Sequence, residues 1–282
     1  MTPAPSPQAF SPGSATLIFL PIKGDSAETT FAQGAAIALS DGVTAAVRSA
    51  DSNAVFFNGE AIDLPPVERI VQRLAPTNVE VHLETPLPLG CGFGVSAGCA
   101  LTTAFAIARQ YDLDLSREDL ARIAHRAEVE SGTGIGDVAT QITGGIVYRR
   151  GESGPFDCVP LPIEVGELFY CVFDPISTKE ILADPKFQRT LHEEGQRAMN
   201  WLAVHHANLT MNDLMNRSLE FAEQTELLTD ARVKRTISKA RSLSGSATMV
   251  MLGQSVLSTI QTDQEIEWRP CTIDVQGTRW LS

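Results

Sequence analysis

No stretch of this sequence approaches the 18 or so consecutive apolar residues of a membrane span, so a membrane-embedded protein is not expected. Residues 1–14 carry no positive charge, and the apolar run Leu17–Leu20 is too short for a secretory core, so no leader is expected either. Five cysteines, at 91, 99, 158, 171 and 271, form no CxxC pair, which disfavours a disulfide framework or a zinc site and fits reduced thiols in a cytoplasm. There is no basic excess. The formal charge of −12 over 282 residues argues against nucleic acid or an anionic membrane as partner. It does not forbid a phosphorylated ligand, which needs only local donors and a metal. No internal repeat or low-complexity tract is present, and no Gly-Lys-Ser/Thr of a Walker loop occurs.

What is present is a mixed set of elements. Strands are expected at residues 15–22, at Val79–Glu84, which alternates apolar and polar, at 146–148 and at 168–173. Ala35–Val47 reads as two extended segments separated by a turn at Ser40-Asp41-Gly42. Asn58-Gly59 marks a hairpin between residues 54–57 and 61–64. Helices are expected at 67–74 and 100–110, and from Ser116, where Asp119 completes a capping box. Further helices are expected at 137–142 and through much of 185–240, with a break near Leu209-Thr210. Strands and helices alternate without a regular beat, which favours α+β over a doubly wound sheet.

The chemically informative segment is Pro86–Ala100, where glycines run directly into a helix. Glycine permits tight turns that expose successive N–H groups, and a helix N-terminus adds unpaired donors and partial positive charge. Together they make an anion cradle suited to phosphate. Ser96, at the helix start, can offer its hydroxyl to a phosphate-bound Mg²⁺. Gly92-x-Gly94-x-x-Ala97 formally matches the dinucleotide fingerprint, but Pro86 and Pro88 stand where a buried strand should lead into it.

The run Pro88-Leu89-Gly90-Cys91-Gly92-Phe93-Gly94-Val95-Ser96-Ala97 resembles the phosphate loop of the GHMP kinase superfamily. Gly-Phe-Gly-x-Ser-Ala and the segment from His125 to Val138 resemble the pantoate kinase branch, supported by Leu39–Val43 and, more weakly, Met249–Gly253. The resemblance implies an N-terminal domain like the second domain of ribosomal protein S5 (residues 1–160) and a ferredoxin-like C-terminal domain (residues 161–282). It implies ATP and Mg²⁺ as cofactors, phosphorylation of pantoate to 4-phosphopantoate on the way to coenzyme A, and a cytoplasmic enzyme, and it leaves open a homodimer. Nucleotide contacts would come from Pro88, Gly90, Gly92, Phe93, Gly94, Val95, Ser96 and Ala97. Ser96 and Glu128 would hold the metal, Asp137 would be catalytic, and His125 and Arg149 would bind the acceptor. Glu128 and Glu130 sit roughly 160° apart on a helix, so only one can face the site; Glu128 is preferred because it shares a side with His125 and because its Ala-Glu-x-Glu context resembles that of the superfamily's Mg²⁺-binding glutamate. Two departures stand out: Ser14 follows Pro12-Gly13 where the superfamily has Lys or His, and Ala32 occupies a position that is serine in the branch. A GHMP kinase for another hydroxy acid or alcohol, and an inactive GHMP-fold binding protein, are the alternatives.

Overall fold

The structure is a computed structural model that describes residues 8–176, 185–262 and 265–281. Two sheets organise it. The first contains β1 (Gln8–Ile22), β2 (Phe31–Ser49), β3 (Ala54–Phe57), β4 (Glu60–Ala61), β5 (Val79–Glu84), β6 (Ile146–Arg149), β7 (Cys158–Pro160) and β12 (Arg279–Trp280). The second contains β8 (Leu168–Asp174), β9 (Ala247–Val250), β10 (Gln254–Ser258) and β11 (Arg269–Cys271), in the order β11-β8-β10-β9. Only β3 and β5 pair in parallel among the described strands, so the α+β expectation holds.

The expected turn at Ser40-Asp41-Gly42 is instead a bulge within one 19-residue strand, β2. Opposite it, the register on β1 jumps between Pro12 and Gly13, with Gly42 facing Pro12 and Leu39 facing Gly13. A bulge absorbs extra residues and bends the strand, and it also admits a proline into a sheet. That is why β1 extends upstream of residue 15, through Pro12 and Gly13. The first half of β2 pairs with β6 and the second half with β5.

α2 (Val95–Gln110) packs on β1 and β2, and α1 (Pro65–Leu74) and α3 (Arg117–Ser131) pack against α2 and each other. α2 is the central helix: thirteen of its sixteen residues are buried, too many for an amphipathic surface helix. Ser116 caps α3 through the Asp119 amide, as the capping box predicts. α4 (Asp137–Thr143) is short and leads into β6.

α5 (Pro185–His205), α6 (Met211–Gln224) and α7 (Ala231–Ser242) follow β8. Thr210 caps α6 at the expected break, and a second break, unread in the sequence, ends at Asp230, which caps α7. α5 and α6 pack on β1, and the Met251 amide donates to the Thr16 carbonyl (2.9 Å), joining the two sheets. The chain then returns to the first sheet, where β12 pairs with the start of β1.

Candidate active site

A cavity of about 680 Å³ opens where the two sheets meet. One wall is the glycine loop. Gly90, Gly92 and Gly94 all have positive φ, and Gly94 (φ 60°) is the left-handed residue that opens α2. No side chain caps that helix. The N-terminal amides of α2 therefore face the cavity at Val95, Ser96 and Ala97, which line it, and can receive an anion. Gly94 is glycine for a second reason: a Cβ there would lie 2.9 Å from Cβ and Cγ of Asp137. Phe93 is buried against Tyr170 of the second sheet (centroids 5.0 Å apart), which anchors the loop. Pro88 leads into the loop but does not line the cavity.

Ser96 and Glu128 meet. Ser96 Oγ donates to Glu128 Oε1 at 2.5 Å, and Thr133 Oγ1 donates to the same oxygen at 2.9 Å. Glu128 is 2% exposed, and no lysine or arginine pairs with it among the described residues. Burial pushes its carboxyl up to about 7, against the pull of the two hydroxyls, and the nearby Asp137 adds to the rise. A buried carboxylate without a counter-cation, touching a hydroxyl and facing a phosphate cradle, is a donor set that fits a hard divalent cation. Glu130 lies on the opposite side of α3, tied to Arg69, Arg73 and Arg126 at 3.2, 2.5 and 2.7 Å.

Asp137 begins α4. Its Oδ1 accepts from Ser14 Oγ (2.9 Å) and Thr16 Oγ1 (3.3 Å) on β1, and no described residue bonds Oδ2. Burial raises its pKa, while Arg149, Ser14 and Thr16 pull it down. Arg149, at the end of β6, also lines the cavity; it is 2% exposed, and its Nε and Nη2 have no hydrogen-bond partner among the described residues. Burial lowers its pKa and the charge of Asp137 opposes that. The guanidinium reaches the cavity over Gly136, where a Cβ would sit 2.5 Å from Nη1.

His125 stands behind the wall. Its Nε2 lies 3.1 and 3.0 Å from the carbonyls of Ala27 and Thr30. Both are acceptors, so Nε2 carries the proton and pins the 23–30 segment. The ring does not line the cavity. Ala32 does, beside Arg149 and Gly136.

The structure thus gathers the loop, Glu128, Asp137 and Arg149, and sets His125 one layer back. Ser14, Thr16 and Thr133 were not singled out as site residues from the sequence. Ser14 carried a signal, as the departure after Pro12-Gly13, and Thr133 sits inside the glycine run after α3. Gln188, Leu191 and His192 line the cavity from α5 with no motif around them.

A family model described as the GHMP kinases N-terminal domain matches residues 66–145. Fold and loop together define the class: a GHMP-type kinase that phosphorylates a small molecule. Over 258 residues the chain is 32% identical to the pantoate kinase of Methanospirillum hungatei, covering 87% of this chain and 85% of that one. Over 276 residues it is 31% identical to the pantoate kinase of Thermococcus kodakarensis, covering 92% and 89%. A solved structure described as a phosphotransferase related to the CoA biosynthesis pathway superposes with a TM-score of 0.83 at 25% identity, covering 98% of both chains. Mevalonate diphosphate decarboxylase from Enterococcus faecalis shares the fold, with a TM-score of 0.74 at 14% identity over 99% of both chains. The chain belongs to the pantoate kinase family.

Proposed function

We propose that this cavity transfers the γ-phosphoryl group of ATP to the terminal hydroxyl of pantoate, giving ADP, 4-phosphopantoate and a proton. The observation behind this reading is the pair formed by Asp137 and Arg149: a carboxylate with one unbonded oxygen beside a buried guanidinium with two nitrogens unpaired among the described residues. Pantoate has the complementary ends, a hydroxyl to be phosphorylated and a carboxylate to be held. Arginine grips a carboxylate with two charge-assisted bonds. Asp137 Oδ2 takes the hydroxyl proton while Ser14 and Thr16 fix Oδ1. The glycine loop and the amides of α2 hold the triphosphate. Ser96 and Glu128 would hold Mg²⁺, which when bound neutralises phosphate charge. His125 supports the acceptor side through the 23–30 segment rather than by contact.

The family relationship supports the acceptor. A GHMP-fold neighbour in complex with AMPPCP and magnesium supports the cofactors. The reading divides the chain at about residue 160, with β12 returned to the first part, and includes a cytoplasmic setting, consistent with five free cysteines. A kinase assay with ATP, Mg²⁺ and separate additions of pantoate, pantothenate, homoserine, mevalonate and shikimate tests it. ADP release should depend on pantoate alone. Turnover of homoserine or mevalonate without a pantoate signal would move the protein to another GHMP specificity.

A further inference from the structure

Gln141 is wholly buried on α4, one turn after Asp137. Its Nε2 donates to the Gly94 carbonyl at 2.9 Å, while its Oε1 has no partner among the described residues. Its own backbone carbonyl is held from behind by the C-terminal segment, accepting from the Thr278 amide (2.8 Å) and hydroxyl (3.1 Å). Gly94 is the residue on which the phosphate loop turns into α2, and the one whose missing Cβ admits Asp137.

This arrangement is poor as a stability device. The Gly94 carbonyl already accepts from Gly98 N (3.0 Å), so the amide of Gln141 adds a second bond to a satisfied acceptor. In return an amide oxygen is buried unpaired, which costs stability. A methionine would fill the same space without that cost. What the amide supplies is a fixed distance between the helix that begins at Asp137 and the loop that faces the phosphates. A misplacement of about 1 Å can lower a rate about a hundredfold.

We propose that Gln141 is a positioning residue that locks Asp137 to the phosphate loop. The proposal rests on the reading of Asp137 given above. Its test is a double-mutant cycle with Gln141→Met and Asp137→Asn, following kcat, the KM for ATP and the Tm. Gln141→Met should lower kcat by about tenfold or more, leave the ATP KM within about twofold, keep or raise the Tm, and have no further effect on kcat in the Asp137→Asn background. A merely structural glutamine would lower the Tm and reduce kcat by the same factor in both backgrounds, and that outcome overturns the proposal. So does an unchanged kcat. Near-normal kcat in Asp137→Asn alone would remove Asp137 itself, a failure visible before Gln141 is altered. Gln141→Leu provides the same comparison should the methionine variant not fold.

Discussion

The two walls of the cavity are built differently. The wall from the first sheet is made of the residues at 95–97, the hydroxyls of Thr16, Ser96 and Thr133, and the ionisable groups of Glu128, Asp137 and Arg149, with Ser14 buried behind Asp137. The wall from the second part is a helix face, Gln188, Leu191 and His192, and the turn at Met251 and Leu252. They touch closely, since a Cβ on Gly253 would lie 2.0 Å from the Cys91 carbonyl. The chemistry is thus concentrated on one side. On the proposed reading, the groups that would act on phosphate are fixed by backbone geometry and by short bonds to neighbouring elements.

If that division is right, damage to the first wall should be the most severe. Asp137→Asn is nearly isosteric and retains hydrogen bonding to Ser14 and Thr16, but it is a poor base. Its kcat should fall by roughly two to four orders of magnitude, with nucleotide binding preserved by equilibrium titration. A near-normal kcat would reduce Asp137 to the start of a helix.

Glu128 should show the next largest effect. Glu128→Gln should raise the Mg²⁺ requirement and depress turnover, whereas Glu130→Gln should do much less, because Glu130 only ties α3 to Arg69 and Arg73 of α1 and bridges to Arg126 on its own helix. Activity titrated against Mg²⁺ for both variants decides between them, and the reverse order of damage would sink the assignment. A pH experiment isolates the same carboxyl. With its folded pKa about 7 against an ordinary 4.5, the folded chain holds the extra proton, so this contribution to stability is fully present below about pH 4.5 and is lost as pH rises through about 7. Moving a pKa by one costs about 1.4 kcal/mol, so the loss is at most about 3.5 kcal/mol. Urea unfolding in chelator at pH 5 and pH 8 should therefore show a decline in the native chain that is smaller in Glu128→Gln. Equal declines would mean that Glu128 is ionised without metal at both pH values.

Arg149 comes third. Hydrogen bonds to charged groups contribute about 1.5–3 kcal/mol, so Arg149→Ala should raise the pantoate KM at least about tenfold with little change for ATP. Arg149→Lys should recover part of the loss, since a point charge lacks the planar fork. Of the two alternative carboxylate partners, Arg150 is held by Asp157 at 2.9 Å and does not line the cavity, while Lys23 does. An unchanged pantoate KM in Arg149→Ala would direct attention to Lys23.

The same contrast explains what was legible in the sequence. The glycine loop could be read because phosphate binding by backbone amides demands a particular residue type at several closely spaced positions. The choice of Glu128 over Glu130 rested on helical phase, which lets only one of them face the site, and on the Ala-Glu-x-Glu context of the family resemblance. β1 and β2 were misjudged because Pro12-Gly13 and Ser40-Asp41-Gly42 are local turn signals, and only pairing across two long strands turns them into a bulge. Ser14 stood out only as a departure, since its bond to Asp137 spans 123 positions of sequence. Gln188, Leu191 and His192 gave no signal, because an i, i+3, i+4 face on α5 looks like any buried helical stripe.

The second wall carries the smallest expected effect, and it provides the finest measure of how far the two walls differ. His192 faces the cavity from α5, and no ion pair of the kind that holds Glu130 or Arg150 fixes it among the described residues. If it meets the acceptor, it does so by a single hydrogen bond or by packing, without the two-pronged grip that Arg149 offers. Neutral bonds contribute about 0.5–1.5 kcal/mol net, which corresponds to a change of roughly two- to tenfold. His192→Ala should therefore raise the pantoate KM within that range and leave kcat and the ATP KM near their original values, because no catalytic group of the first wall leans on it. Leu191, 2% exposed, belongs to the core as well, so Leu191→Ala would mix a packing loss with any effect on the acceptor, and His192 is the cleaner probe. Steady-state kinetics on His192→Ala beside Arg149→Ala makes the measurement. A larger pantoate KM in the histidine variant than in the arginine variant would reverse the ranking of the walls and assign the acceptor's main contact to α5.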